Sequence, residues 1–498
     1  MLKITIIEEK PDSKLVITSM ETQKLKKKPK VQYKKIHYKL IAFLFIQTCW
    51  FFTFSIAITP LWGGNALFPV QNDDIMSRTA RLIMIYHSLA VPFLVANTFW
   101  IMEFFHNNIR EKYIPHLKVT LLPGAILVGV FGILFAYTRY RVFHEIFYFG
   151  LFLVFMGGII FVIAALPIPY KFPDPEDKEA PTIRGLNLEN VSLVILAVCI
   201  LISAIYGALA AIENFTGDIT GLGRDPVAFL AEEIVRDDHD WVQDFIVSHL
   251  HIQLAQSTAM VVMLGYRLSA LRGPIYKLVL FFNPIGVLVI SLGAWVLNHY
   301  SIWVGAGILL ICTLIMTIAG WLKASMDYLG DDYMRASRLK KLKGVFGDPL
   351  QFTLYFLFFF SFFAVTIAGI IAGLRTETIL RTHEYVIIEY SFNVGHWHIL
   401  AVLLALILLV IAVDYYGVQG KGRKVFAWSL LIGYIIAYTS VNLYMQRFPP
   451  AEIVDPWLTL TLVGAVIMFL SVVLGMTLLT KKVMEDRKEL KVVSHLGV

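Results

Sequence analysis

The chain has 498 residues, of which 57% are hydrophobic and only 16% charged, with a formal net charge of +7. A mean hydropathy of +0.69 and apolar runs along the whole length exclude a string of soluble domains and indicate a bilayer as solvent. The basic balance does not indicate a nucleic-acid partner, because the lysines and arginines gather on one side of the membrane, next to lipid.

Residues 1–38 read as a basic cytoplasmic tail, 39–480 as a membrane domain of about twelve helices, and 481–498 as a second cytoplasmic tail. The N-terminus opens with acidic and basic residues, and the first long apolar run starts near Leu40, so no cleavable signal peptide is expected. Apolar runs of about 18–25 residues, each sufficient to cross a hydrocarbon core, lie near 39–60, 80–104, 119–137, 143–166, 188–212, 245–267, 277–297, 301–322, 351–373, 394–413, 425–444 and 457–480. Pro167 and Pro169 end the fourth run, and Pro349 precedes the ninth. Cys49, Cys199 and Cys312 lie far apart inside such runs. They make no C-x-x-C, no covalent-haem C-x-x-C-H and no disulfide framework, and read as small buried hydrophobes.

Orientation follows from the basic residues. Lys24, Lys26, Lys27, Lys28, Lys30, Lys34 and Lys35 precede the first run. Alternate loops on the same side hold Arg335, Arg338, Lys340, Lys341 and Lys343, then Lys421, Arg423 and Lys424, and finally Lys481 and Lys482. The opposite loops are poorer in bases and include Glu232, Glu233, Asp237, Asp238 and Asp240. Both termini are therefore expected in the cytoplasm of a multi-pass plasma-membrane protein.

On this topology the histidines share a depth. His87 lies about two turns into the second run, His249 and His251 open the sixth (SHLHIQLAQ), His299 closes the seventh (LNHYSIWVG), and His396 and His398 open the tenth (NVGHWHILAV). Six histidines on four helices in the outer third of the bilayer suggest metal ligation rather than isolated interhelical hydrogen bonds. Residues two apart on a helix project about 200° apart, so His396 and His398 cannot bind one iron on one face but can serve two cofactors on opposite sides of one helix. A faint echo, His239-Asp-Trp-Val before His249 and His383-Glu-Tyr-Val before His396, suggests three arcs of four helices.

Twelve runs, histidine on helices two, six, seven and ten, and H-x-H on the tenth resemble subunit I of the haem–copper oxidase superfamily. The stretches IVSHLHIQ (246–253) and NHYSIWVG (298–305) are similar to the nitric oxide reductase branch, which carries V-x-H-L-W-V-E on helix six and H-H-Y-x-W-I-G on helix seven. The resemblance implies an all-α bundle of about twelve helices with pseudo-threefold arrangement, and two haems of b type or similar. It implies His87 and His398 as the axial pair of a low-spin haem and His396 as the proximal ligand of a high-spin haem. His249 and His299 would hold a non-haem iron or copper facing that haem.

The sequence also departs from the family. Asn298 replaces the first histidine of the helix-seven pair, and an amide oxygen is a weak ligand for a transition metal. Gln253 replaces the reductase glutamate; it shares a face with His249 but an amide cannot relay protons. The oxygen-reducing branch's covalently linked tyrosine is missing as well. Altered ligands of this kind also occur among reductase-like proteins proposed to dismutate nitric oxide. His251 matches a family tryptophan and reads as a hydrogen-bond donor to a helix or haem propionate, with a surrogate ligand role as the second reading. Glu145, Glu213 and Glu389 stand at outer helix ends as solvated charges or proton carriers. His144, His239 and His383 read as loop or helix-end residues, and His37, His106, His116 and His495 as cytoplasmic.

The functional expectation is a respiratory oxidoreductase that passes electrons from a low-spin haem to a high-spin haem–metal centre reducing nitric oxide or oxygen. Its alternatives are a dihaem electron-transfer subunit and a nitric oxide dismutase-like protein. A transporter would show paired charges deep in the spans and broken helices, and neither is evident. No C-x-x-x-C copper loop or attached cytochrome is present, which implies a donor subunit, a soluble cytochrome or cupredoxin, or a quinol. The acidic segment 213–244 reads as a solvated outer loop or as a docking surface for a basic carrier.

Overall fold

The computed structural model describes residues 75–138, 140–166, 181–216, 241–269, 271–296, 298–360, 362, 363, 366, 405–445 and 456–495. Within them the chain is helical apart from short connections and one small hairpin. The long helices are α1 (Ile75–Phe104), α2 (Ile114–Thr138), α3 (Arg141–Ala165), α4 (Leu188–Thr216), α5 (Trp241–Leu268), α6 (Gly273–Trp295) and α7 (His299–Leu329). After the short amphipathic α8 (Arg338–Val345) come α9 (Pro349–Phe360), α10 (Ala405–Tyr415), α11 (Lys421–Met445) and α12 (Pro456–His495).

Six of the described helices, α2, α3, α4, α6, α7 and α12, are long and apolar enough to cross a membrane. The protein is an all-α, multi-pass membrane protein. The predicted first run, 39–60, lies outside the described residues, as does most of the stretch between α9 and α10. The last helix runs on to His495, past the predicted boundary at 480. The added segment, KKVMEDRKELKVVSH, is rich in straight-chain residues that favour a helix in water.

A feature not predicted from the sequence is an antiparallel hairpin, β1 (Thr182–Ile183) with β2 (Leu186–Asn187). Its turn residues Arg184 and Gly185 have φ of 51° and 81°, the left-handed backbone that a two-residue hairpin turn requires. The hairpin delivers Asn187 to the start of α4, where its side chain accepts from Glu189 N at 2.9 Å as an N-cap.

Among the described helices, α5 packs against α1, α4, α6 and α7. That enclosure explains its composition. Ser248, Gln256, Ser257 and Thr258 of α5 are buried beside Ala259, Val261, Met263 and Leu264. Polar groups in a membrane helix are tolerable when they face protein rather than lipid. Neighbouring helices supply partners: Asn97 of α1 donates to the Ser257 carbonyl at 3.3 Å, and Asn283 of α6 to the Ala259 carbonyl at 3.2 Å. In α6 and α7 close approach replaces hydrogen bonding. A Cβ at Gly305 would sit 2.6 Å from the Gly286 carbonyl oxygen, so only glycine permits that separation.

One end of the bundle is tied by buried polar groups. Glu189 of α4 accepts from Arg267 of α5 at 2.6 Å and from the Tyr276 hydroxyl of α6. The Arg267 guanidinium also lies over the Phe105 ring, 4.8 Å from its centre. Beside them, Asn190 donates to the Ala165 carbonyl at 2.9 Å and accepts from Asn108. This clamp holds α4, α5 and α6 in register at one end, with the histidines toward the other.

Candidate functional site

The site is assembled where α1, α4 and α5 meet. His87 of α1 and His249 of α5 present parallel imidazoles, with ring centres 5.9 Å apart and planes 10° apart. Phe147 of α3 closes the far side of His87 edge-on at 6.2 Å. Beyond it, His144 lies 4.4 Å from Phe135 and 4.4 Å from Tyr148. The histidine pair thus ends an aromatic wall built by α2 and α3.

His249 is anchored to α4. Its Nδ1 lies 2.7 Å from the backbone carbonyl of Ser203, and the Ser203 hydroxyl donates to the backbone carbonyl of His249 at 2.8 Å. A carbonyl only accepts, so Nδ1 carries the hydrogen. In the neutral ring Nε2 then bears the lone pair. This donor set fits a metal: a neutral imidazole with one nitrogen committed to a carbonyl is the usual arrangement of a ligating histidine. The two rings are stacked, so their in-plane lone pairs do not converge on one point between them, and the pair offers two neighbouring donors rather than a ready-made site for one ion.

The other residues singled out from the sequence are placed differently. His299 does not close the seventh run, whose helix α6 ends at Trp295: it is exposed and opens the next helix, α7. Asn298 is exposed and caps the same helix, its Oδ1 accepting from Ser301 N at 3.0 Å. Gln253 is half-buried one turn after His249, and its backbone carbonyl accepts from the Ser257 hydroxyl at 2.6 Å. His251 is half-buried two residues beyond His249. Glu145 is exposed and pairs with Arg141 at 2.9 Å. Glu213 belongs to the last turns of α4, but its side chain, like His396, His398 and Glu389, lies outside the described residues. Among the described residues, no group of three or more His, Cys, Asp or Glu side chains gathers as a metal cage.

The structure therefore brings together His87 and His249, which the resemblance divides between two cofactors. It adds two residues not singled out from the sequence, Ser203 and Gly207. Their signal was weak: two small residues four apart in an apolar helix, a spacing that marks close helix contact without naming the partner. Compared with known proteins, the sequence matches no family model and no curated relative.

Proposed function

We propose that this protein is a membrane oxidoreductase of the haem–copper type, nearest to the nitric-oxide-reductase pattern, built from about twelve helices in three arcs. The observation that carries the reading is His249: a membrane imidazole whose Nδ1–H is committed to a carbonyl, parallel to a second imidazole 5.9 Å away. Paired histidines at bilayer depth are costly to bury, and a nitrogen-ligated metal centre is the role that accounts for both.

On this reading His87 and His249, stacked side by side, contribute donors to one centre. His396 keeps the high-spin haem role that the resemblance implies, and His398 would hold its own haem without His87 as the second axial ligand. Such haem and metal groups supply one-electron transfer and Lewis-acid binding of a diatomic gas, nitric oxide or oxygen. The chain's own residues supply nitrogen donors, hold His249 in one orientation through α4, and keep water out with the Phe147, Phe135 and Tyr148 wall. Electrons would come from a donor subunit, a soluble cytochrome or cupredoxin, or a quinol. Both termini would lie in the cytoplasm.

A second reading, a dihaem electron-transfer subunit, is favoured by the outer end of α7. There Asn298 is engaged as a helix cap and His299 faces outward, so neither is drawn toward His249. Haem and metal analysis of the purified protein separates the two. Two haems with one non-haem iron or copper support the reductase. Two haems alone support the electron-transfer subunit, and a haem-free protein would overturn both.

A further inference from the structure

We propose that Gly207 is the positioning residue of His249, acting by uncovering the carbonyl of Ser203. The inference rests on the reading of His249 as a metal ligand, and extends it to the shell behind that ligand. In an α-helix each carbonyl already accepts from the N–H four residues on, so the Ser203 oxygen faces the turn that holds residue 207. A helical side chain leans back over the turn N-terminal to its own Cα. Any side chain at 207 would therefore cover the approach to that oxygen. Glycine leaves it open, and the imidazole edge of His249 occupies the space: a Cβ at 207 would lie 2.8 Å from both Nδ1 and Cε1 of His249. The carbonyl thus gains a second donor, the Nδ1–H of His249 at 2.7 Å.

The consequence is chemical. With Nδ1–H held by α4, the ring cannot turn about its Cβ–Cγ bond without losing that hydrogen bond, and Nε2 alone is left to ligate. The Ser203 hydroxyl gives its hydrogen to the His249 carbonyl at 2.8 Å, and its oxygen, 3.2 Å from Nδ1, is a second and longer acceptor for the same Nδ1–H. Backbone of one helix and absence of a side chain do the positioning. The serine oxygen supports the same tautomer from a longer distance, 3.2 Å against 2.7 Å for the carbonyl.

The test uses full-length protein in lipid nanodiscs, labelled with 15N-histidine, with the His249 resonances identified by their loss in His249→Gln. Native protein and Ser203→Ala should both show protonated Nδ1, since Ser203→Ala retains the carbonyl. Gly207→Ala should lose that signature. It should also lower the chelator concentration at which half the bound iron or copper is removed, by about 10–100-fold, the usual effect of losing an outer-shell partner. Alanine is the better helix former, so α4 itself is not weakened by the change. A native His249 protonated on Nε2, or a Gly207→Ala protein with unchanged tautomer and metal retention, overturns the positioning role. A native protein with the Nδ1–H signature but neither haem nor metal overturns the oxidoreductase reading instead, so the two failures are distinguishable.

Discussion

Arg267, in the last turn of α5, donates to the carboxylate of Glu189 in the first turn of α4 at 2.6 Å, and Glu189 is only 3% exposed. The pair joins the helix that carries His249 to the helix that anchors it, at the end opposite the histidines. Taking one partner away leaves a buried charge without compensation. Arg267→Met should destabilise the protein by about 3 kcal/mol, while Arg267→Met with Glu189→Leu should cost clearly less than the two single changes summed. Thermal unfolding in detergent of the two singles and the double is the measurement. Additive losses would show that the ion pair does not couple the helices.

The histidine pair makes a spectroscopic prediction. If His87 and His249 share a centre, His87→Ala and His249→Ala should disturb the same optical and EPR signal. His396→Ala and His398→Ala should each remove a different haem, since residues two apart on a helix point to opposite sides. A low-spin signal lost in His87→Ala yet untouched in His249→Ala would return the two residues to the separate cofactors that the resemblance implies.

Asn298 tests whether the N-terminal end of α7 belongs to the proposed metal centre. As an N-cap, its replacement by alanine should cost about 1 kcal/mol, and its replacement by aspartate, an equally good cap, should cost almost nothing. Neither change should alter metal content. If Asn298→Ala removes iron or copper from the protein while α7 remains folded by circular dichroism, then Asn298 is a ligand rather than a cap.

Orientation is open to a direct experiment. The lysine-rich segment 24–35 and the basic α8, with Arg338, Lys340, Lys341 and Lys343, should lie on the cytoplasmic side. Trypsin added to sealed right-side-out vesicles should leave the N-terminal tail intact, and the same trypsin should remove it in inverted vesicles. Cleavage from outside would invert the topology and put the histidines near the cytoplasmic face.

The sequence by itself determined that this is an all-α membrane protein and placed the long described helices, though not the short α8. Apolar runs of membrane length are a property of consecutive residues, so the runs 80–104, 188–212 and 277–297 reappear as α1, α4 and α6 with shifts of a few residues at their ends. It also marked His249 as a residue to explain, because an imidazole within a long apolar run is conspicuous. What it could not determine was company. Ser203 and Gly207 are unremarkable residues in an apolar helix, and a backbone carbonyl leaves no trace in composition. Glu189 and Arg267 are 78 positions apart and read as unrelated helix-end charges until packing sets one against the other. Only the tertiary structure decided that α4 lies behind His249, that His87 lies parallel to it, and that Asn298 spends its side chain on the N-terminus of α7. Each of these depends on which helix faces are in contact, and in a bilayer that choice is made by close packing and hydrogen bonding between helices rather than by the hydropathy that marks the spans.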